Sequence, residues 1–194
     1  MKITLDEAAK IIGDAQTIIL TSHIRPDGDS IGSTLGLMHY LRAQGKDARV
    51  LIDDDLPRIF KVLPGLEMIE RPAEGVRYTA DLLIVCDVEL KRTGDVVSSV
   101  DAVRVLNIDH HVTNDEEAEY LYLNPDYAAT CEIMHDLIGA MGGTFSLDVA
   151  TCLYTGMATD TGFFRFSNTT PHTMRAAADL VEVGVRPNII SVAM

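Results

Sequence analysis

Residues 17–41, "TIILTSHIRPDGDSIGSTLGLMHYL", decide the fold. The segment opens on a β-branched apolar run and closes on apolar residues at helical spacing. Ile31, Leu35, Met38 and Leu41 fall on one face of that helix. Between strand and helix lies a short turn holding His23, Asp27 and Asp29. Asp29 or Ser30 is expected to cap the helix, and Gly45 to close it. The free N–H groups of the first helical turn, and the helix dipole, then point into the acidic loop. Gly28, between the two acids, lets the loop turn tightly, so the carboxylates can serve two different metal ions.

Outward from this segment, runs rich in Val, Ile and Leu recur at 48–53, 81–87, 103–111 and 118–125, the earlier ones separated by helical patterns. Near-continuous apolar strands joined by helices predict a parallel sheet covered on both faces. The expected fold is α/β: a Rossmann-like parallel sheet of about five strands flanked by helices. Beyond residue 128 the pattern is helical, over about 128–142, 146–160 and 170–184, with "MGGTFS" at 141–146 as a turn between helices. "GVRP" at 184–187 reads as a boundary, since glycine ends a helix and proline permits a new one. Residues 1–184 are therefore expected to form one domain, and 185–194 the start of a helix or linker leading out of it.

Charge narrows the chemistry. With 16 Lys and Arg against 29 Asp and Glu, the chain has a formal net charge of −13. This argues against a surface that grips phosphates by releasing counterions from lysines and arginines, so an anionic substrate would need bound cations. The acidic stretch at 115–119 reads as solvated surface. No apolar run is long enough to span a membrane, and the first residues lack the apolar core of a signal peptide. Cys86, Cys131 and Cys152 are odd in number and set in apolar surroundings; they read as buried thiols of a cytoplasmic protein.

Chemistry concentrates where strands end. His23 follows the first run, Asp87 ends the third, and Asp109, His110 and His111 end the fourth. In an open parallel sheet these ends share one edge, where ligands bind, so the three groups should converge. Asp160, at the end of a helical pattern, can reach the same edge. Two imidazoles and four carboxylates exceed one ion with open positions, but match two ions sharing a carboxylate, about 3.5–4 Å apart. Mixed nitrogen and oxygen donors favour Mn2+, Fe2+, Co2+ or Zn2+ over a pure Mg2+ site. Such a pair suits phosphoryl chemistry, because it generates a nucleophile near neutral pH and neutralises the phosphate.

Plainer readings stand beside these. An aspartate at a helix start often only caps it. Asp109 is expected behind the site, orienting a ring. Neighbours on a regular strand face opposite ways, so the chain must turn at His110 and His111, or only one of them binds. His39, His135 and His172 lie in helical patterns with no acidic cluster and read as structural. "GDSIGSTLG" lacks the GxxxxGK[ST] spacing of a phosphate loop.

Four segments, "SHIRPDGDSIGS", "VCD", "IDHH" and "ATDTGFFRFSNTT", occur in order, each where an element should end. Together they resemble the N-terminal catalytic domain of the DHH, or RecJ-like, phosphoesterases. Within that family the likeness is to the bacterial group that degrades short oligoribonucleotides and dephosphorylates 3′-phosphoadenosine 5′-phosphate (pAp). Family II inorganic pyrophosphatases typically carry threonine where Gly28 stands here.

The resemblance implies one ion on His23, Asp27 and Asp87, and a second on Asp29, Asp87, His110 and Asp160, with Asp87 bridging. It implies two divalent cations, Mn2+ foremost and Mg2+ or Co2+ as alternatives. His111 would face the scissile phosphate as donor or general acid. Arg165 would contact a substrate phosphate, or else pair with a surface acid. Short single-stranded RNA or a small nucleotide is the implied substrate. The alternatives are pyrophosphate or cyclic dinucleotides on the same centre, or a metal-binding domain with little activity by itself. A homodimer is compatible with the family. The family's complete enzymes carry a smaller C-terminal substrate-binding domain with a glycine-rich, histidine-containing motif. Nothing of that kind follows residue 184, so the chain is expected to be part of a longer protein.

Overall fold

Six parallel strands form one sheet in the order β3-β2-β1-β4-β5-β6: β1 (Thr17–Thr21), β2 (Asp47–Leu51), β3 (Ile69–Glu70), β4 (Tyr78–Cys86), β5 (Val100–Asp109) and β6 (Tyr120–Leu123). The computed structural model describes residues 1–194. The strand missing from the sequence reading is β3. At two residues it is too short to leave a period, and it is recruited by pairing Val50 with Ile69.

Seven helices accompany the sheet: α1 (Leu5–Asp14), α2 (Gly28–Ala43), α3 (Val96–Ser99), α4 (Thr130–Ala140), α5 (Leu147–Asp160), α6 (Pro171–Val183) and α7 (Pro187–Ala193). They load the two faces unequally. Alternate residues of the central strands diverge: Ile18, Leu20, Leu82 and Ile84 join a core of 39 residues with α1, α2, α4 and α5. Ile19, Leu83 and Val85 join a cluster of only eight, closed by Val88, Val96 and Val100. Both faces are covered, but the second is covered thinly, by the one-turn α3 and its flanking loop.

Helix α2 starts at Gly28, with Asp27 as its cap, not at Asp29 or Ser30. The Asp27 carboxylate accepts from the N–H groups of Asp29 and Ser30, and the Ser30 hydroxyl accepts from the N–H of Asp27 in return. Nor is the helix one-faced. Nearly every residue from Gly28 to Leu41 is buried, because α2 lies between the sheet and α5. Glycines permit this. A Cβ at Gly32 would sit 2.6 Å from the Cys152 carbonyl oxygen and 3.0 Å from Cys131 Sγ. At Gly156 of α5 one would sit 2.8 Å from Asp29 Oδ1, and at Gly36 one would sit 2.7 Å from the Leu153 side chain. The two helices touch backbone to backbone, which brings the first turn of α2 beside the last turn of α5.

The strand order reverses direction between β1 and β4. In open α/β sheets the crevice at such a switch point, beyond the carboxyl ends of the strands, is where ligands bind. No helix is long and apolar enough to cross a membrane.

Candidate metal centre

All six expected ligands meet at the switch point. Three groups of donor atoms lie within 4.8 Å of one another: His23, Asp27 and Asp87; Asp29, His110 and Asp160; and Asp87, His110 and His111. Asp87 sits between the two histidine systems. His23 Nε2 is 3.6 Å from both Asp27 Oδ2 and Asp87 Oδ2. His110 Nε2 is 3.5 Å from Asp87 Oδ1, 3.4 Å from Asp160 Oδ2 and 3.9 Å from Asp29 Oδ2.

Those distances carry information. His110 Nε2 is buried and makes no hydrogen bond, although three carboxylates surround it. A buried polar atom without a partner costs about 1–3 kcal/mol, so an imidazole aimed into a gap between carboxylates fits a cation-binding position. The donor set of imidazole nitrogen and carboxylate oxygen fits a divalent transition ion. On both grounds the residues present fit the metal pair expected of the sequence.

Electrostatics agree. Burial by itself would depress the His23 and His110 imidazoles, but the carboxylates overrule it. Asp27 and Asp87 push His23 up to about 10, and Asp160 and Asp87 push His110 up to about 11. Burial, then the neighbouring Asp87 and Asp160 charges, drive Asp29 well above the ordinary carboxylate range. Burial also raises Asp160. Burial opposes ionisation of Asp87 as well, yet the two histidines hold it below that range.

Local structure aims each group. Asp87 follows β4 with φ of 67°, a left-handed conformation costly for a non-glycine residue and typical of functional sites. Its N–H still donates to the Ile108 carbonyl at 2.9 Å, so the strand ladder fixes the turn. Strand β5 ends at Asp109, so the chain has left the regular pleat before His110 and His111. Both rings therefore reach the site, 4.3 Å apart and tilted by 58°. Asp109 is fully buried. One of its oxygens accepts a hydrogen bond from His111 Nδ1 at 2.8 Å and the other accepts from Asn114 Nδ2 at 2.6 Å. Asp160 ends α5, and residues 162–164 follow in three consecutive left-handed conformations (φ 56°, 58° and 62°), which turn the chain away at once.

Of the two readings of Arg165, the structure does not show the pairing with a surface acid. Arg165 Nε donates to the Gly162 carbonyl at 2.6 Å and the side chain pairs with no acid. His39 is structural as expected, its Nε2 meeting the Pro64 carbonyl at 2.9 Å. His135 and His172, by contrast, do have an acidic cluster. His135 Nδ1 is 2.9 Å from Asp136 Oδ1, and His172 Nε2 is 2.9 Å from Asp136 Oδ2. The acids come from one turn of α4, whose period the sequence shows, and from α6, whose packing it does not.

Sequence reasoning missed the groups behind the ligands. Helix α4 has no side-chain cap of its own; Asp29 supplies one, accepting from the N–H groups of Thr130 at 2.6 Å and Cys131 at 2.8 Å. Thr130 Oγ1 donates to Asp87 at 3.0 Å, and the Tyr127 carbonyl meets His110 Nδ1 at 3.2 Å. Nothing in "YAATCEI" signals this beyond an uncapped helix start.

Residues 17–157 match the DHH family, N-terminal domain, and the chain belongs to that family. It is 40% identical over 169 residues to the bifunctional oligoribonuclease and PAP phosphatase NrnA of Thermus thermophilus, covering 87% of this chain and 51% of that one. Among solved structures, an exopolyphosphatase-related protein from Bacteroides fragilis superposes with a TM-score of 0.88 at 30% identity, over 97% of this chain and 59% of that one. A manganese-bound exonuclease RecJ shares the fold, with a TM-score of 0.53 at 17% identity, over 98% of this chain and 54% of that one. The chain spans about half the length of the curated relatives it matches.

Proposed function

We propose that this DHH-family chain is a phosphoesterase that hydrolyses short oligoribonucleotides and pAp with two divalent cations, Mn2+ foremost. The observation that carries the reading is the orphaned His110 Nε2, held 3.4–3.9 Å from three carboxylates. The choice of substrate is supported by the likeness to the oligoribonuclease and PAP phosphatase, and the choice of metal by the manganese-bound RecJ of the same fold.

His23, Asp27 and Asp87 would hold one ion. Asp29, Asp87, His110 and Asp160 would hold the other, with Asp87 common to both. When bound, the ions neutralise the phosphate and lower the pKa of an attacking water. The remaining work falls to the chain. Asp109 holds His111 by Nδ1, which leaves Nε2 as the nitrogen facing outward. As water adds to phosphorus and the phosphorus–oxygen ester bond breaks, His111 Nε2 gives its proton to the departing oxygen. The Asp109 hydrogen bond, first and foremost, raises the His111 pKa above its ordinary value, which favours the protonated ring that a general acid needs. Arg165 spends Nε on Gly162, which leaves its terminal nitrogens for a distal phosphate. Residues 185–194 are read as the lead into a second, substrate-gripping domain, and three buried thiols suit the cytoplasm.

The test is an assay of chelator-stripped protein, with and without added Mn2+, on pAp, a dinucleotide, pyrophosphate and a cyclic dinucleotide. Mn2+-dependent turnover of pAp or the dinucleotide is expected. Turnover of pyrophosphate alone would overturn the substrate assignment.

A further inference from the structure

The groups behind the ligands are not shared evenly between the two ion positions. His23 and Asp27 are held by their own loop: His23 Nδ1 meets the Ile24 carbonyl at 2.9 Å, and Asp27 accepts from the N–H groups of Asp29 and Ser30. Ligands of the other ion sit on α2, just past the ends of β4 and β5, and on α5, four places far apart in sequence. One short segment, residues 127–131, reaches all of them. The Tyr127 carbonyl fixes the His110 ring, Thr130 and Cys131 hold both oxygens of Asp29, and the Thr130 hydroxyl holds Asp87. The fourth, Asp160, is reached through Asn168, whose Nδ2 donates both to the Ala128 carbonyl at 3.2 Å and to the Asp160 carbonyl at 3.1 Å.

The segment is itself pinned from behind. The Tyr127 hydroxyl donates to Asp136 Oδ2 at 2.7 Å, and the Ala128 N–H donates to the buried Glu132 at 2.7 Å. His172 closes on the same Asp136 oxygen at 2.9 Å and packs edge-on against the Tyr127 ring, 5.7 Å between centroids. The second histidine–carboxylate cluster therefore terminates on Tyr127, directly behind His110.

We infer that residues 127–131 form a clamp for one ion only, the one on Asp29, His110 and Asp160, and that Tyr127 and Asn168 are its positioning residues. Neither side chain is a ligand. Tyr127 fixes the tautomer and angle of His110 through its carbonyl, and its hydroxyl holds that carbonyl in place. Asn168 ties the end of α5, and with it Asp160, to the same segment. Groups of this kind are worth about 10–100-fold in metal affinity. The ion on His23 and Asp27 is linked to the segment only through the shared Asp87 and through the Asp29 N–H that donates to Asp27, and Tyr127 and Asn168 touch neither of those groups.

This inference rests on the two-ion reading of the centre, and its test separates the two. Mn2+ titration of the metal-free protein, followed by electron paramagnetic resonance, should show two ions. Tyr127→Phe and Asn168→Ala should each raise one dissociation constant about tenfold or more and leave the other unchanged. Adding His23→Ala should then remove the unchanged one. A common shift of both constants, no shift in either variant, or loss of the weakened ion on adding His23→Ala would overturn the clamp. Tyr127→Phe removes a single oxygen, so it serves where Asn168→Ala fails to fold. Failure of the unsubstituted protein to bind Mn2+ would sink the metal centre itself, and the clamp with it.

Discussion

The molecule contains two clusters of histidines and carboxylates, on either side of Tyr127, and they are built oppositely. In the outer cluster, His135 and His172 hydrogen-bond directly to the two oxygens of Asp136, both at 2.9 Å. In the inner one, His23 and His110 stand 3.4–3.9 Å from their carboxylates, too far for good hydrogen bonds. Three donor atoms within 4.8 Å of one another occur only in the inner cluster. The residue types are the same; the gap differs. Where imidazole and carboxylate close on each other at Asp136, that bond is made and serves packing, with His135 also stacked on Phe145, centroids 4.9 Å apart. The His135 Nε2 is left without a hydrogen bond, but it faces one carboxylate, Asp179, where His110 Nε2 faces three. Where they are held off, something else must fill the space.

The sharpest way to break this contrast is to delete one member from each cluster. Asp87→Ala should take the protein from two bound Mn2+ to none, because both histidine systems converge on that carboxylate. His135→Ala should keep both ions and cost only about 1–2 kcal/mol of stability, the scale of a lost hydrogen bond and its packing. Metal counting by plasma emission, beside thermal unfolding, reads both. Two tightly held ions in Asp87→Ala would end the assignment of Asp87 as the bridge.

Next in size comes His111, which belongs to both kinds of geometry. Its Nδ1 closes on Asp109 at 2.8 Å, yet the ring also reaches the inner group. His111→Ala should retain its ions and lose about 10²–10⁴-fold in rate, as for one general acid. A parallel loss of metal would make His111 a ligand instead.

The smallest effect is in pH. His23 and His110 have folded values of about 10 and about 11, against 6.5 for the free side chain. Between these limits the folded protein binds more protons than the unfolded one, so stability falls as pH rises. In metal-free protein the contribution of the two histidines is complete below about pH 6.5 and is lost as pH climbs through about 10–11. The melting temperature without metal should therefore drop from neutral to alkaline pH. The gain on adding Mn2+ should instead grow between about pH 6 and 8, since cations displace those protons. A metal-free melting temperature that rises over the alkaline range would contradict the protonated, held-off imidazoles.

Much of this was legible in the sequence, for identifiable reasons. Strand ends in a parallel sheet share an edge whatever the details, so His23, Asp87 and His110 could be placed together from their positions alone, with Asp160, at a helix end, within reach of them. Convergence on an edge does not say which atoms face each other. The orphaned Nε2 and the left-handed Asp87 emerge only in three dimensions. The outer cluster was misread because Asp179 meets His135, and Asp136 meets His172, through the packing of α4 against α6, at sequence separations no local pattern reports; only the neighbouring His135–Asp136 pair was in view. Strand β3 was invisible because a two-residue strand has no period to detect.

The glycines where α2 meets α5 bear on how this protein can change. Replacing a helical glycine with alanine ordinarily gains about 0.8–1 kcal/mol, one of the simplest routes to a sturdier protein. Gly28, Gly32, Gly36 and Gly156 look like four such openings, and all four are closed. A methyl at any of them meets Thr159, the Cys152 carbonyl, Leu153, or Cys131 and Asp29. Two of the obstacles are backbone or a candidate ligand, which cannot swing aside. Improving these helices would push Asp29 away from Asp160, so any search for thermostable variants should avoid this seam and look to Gly13 and Gly139, where an added Cβ meets nothing within 4 Å.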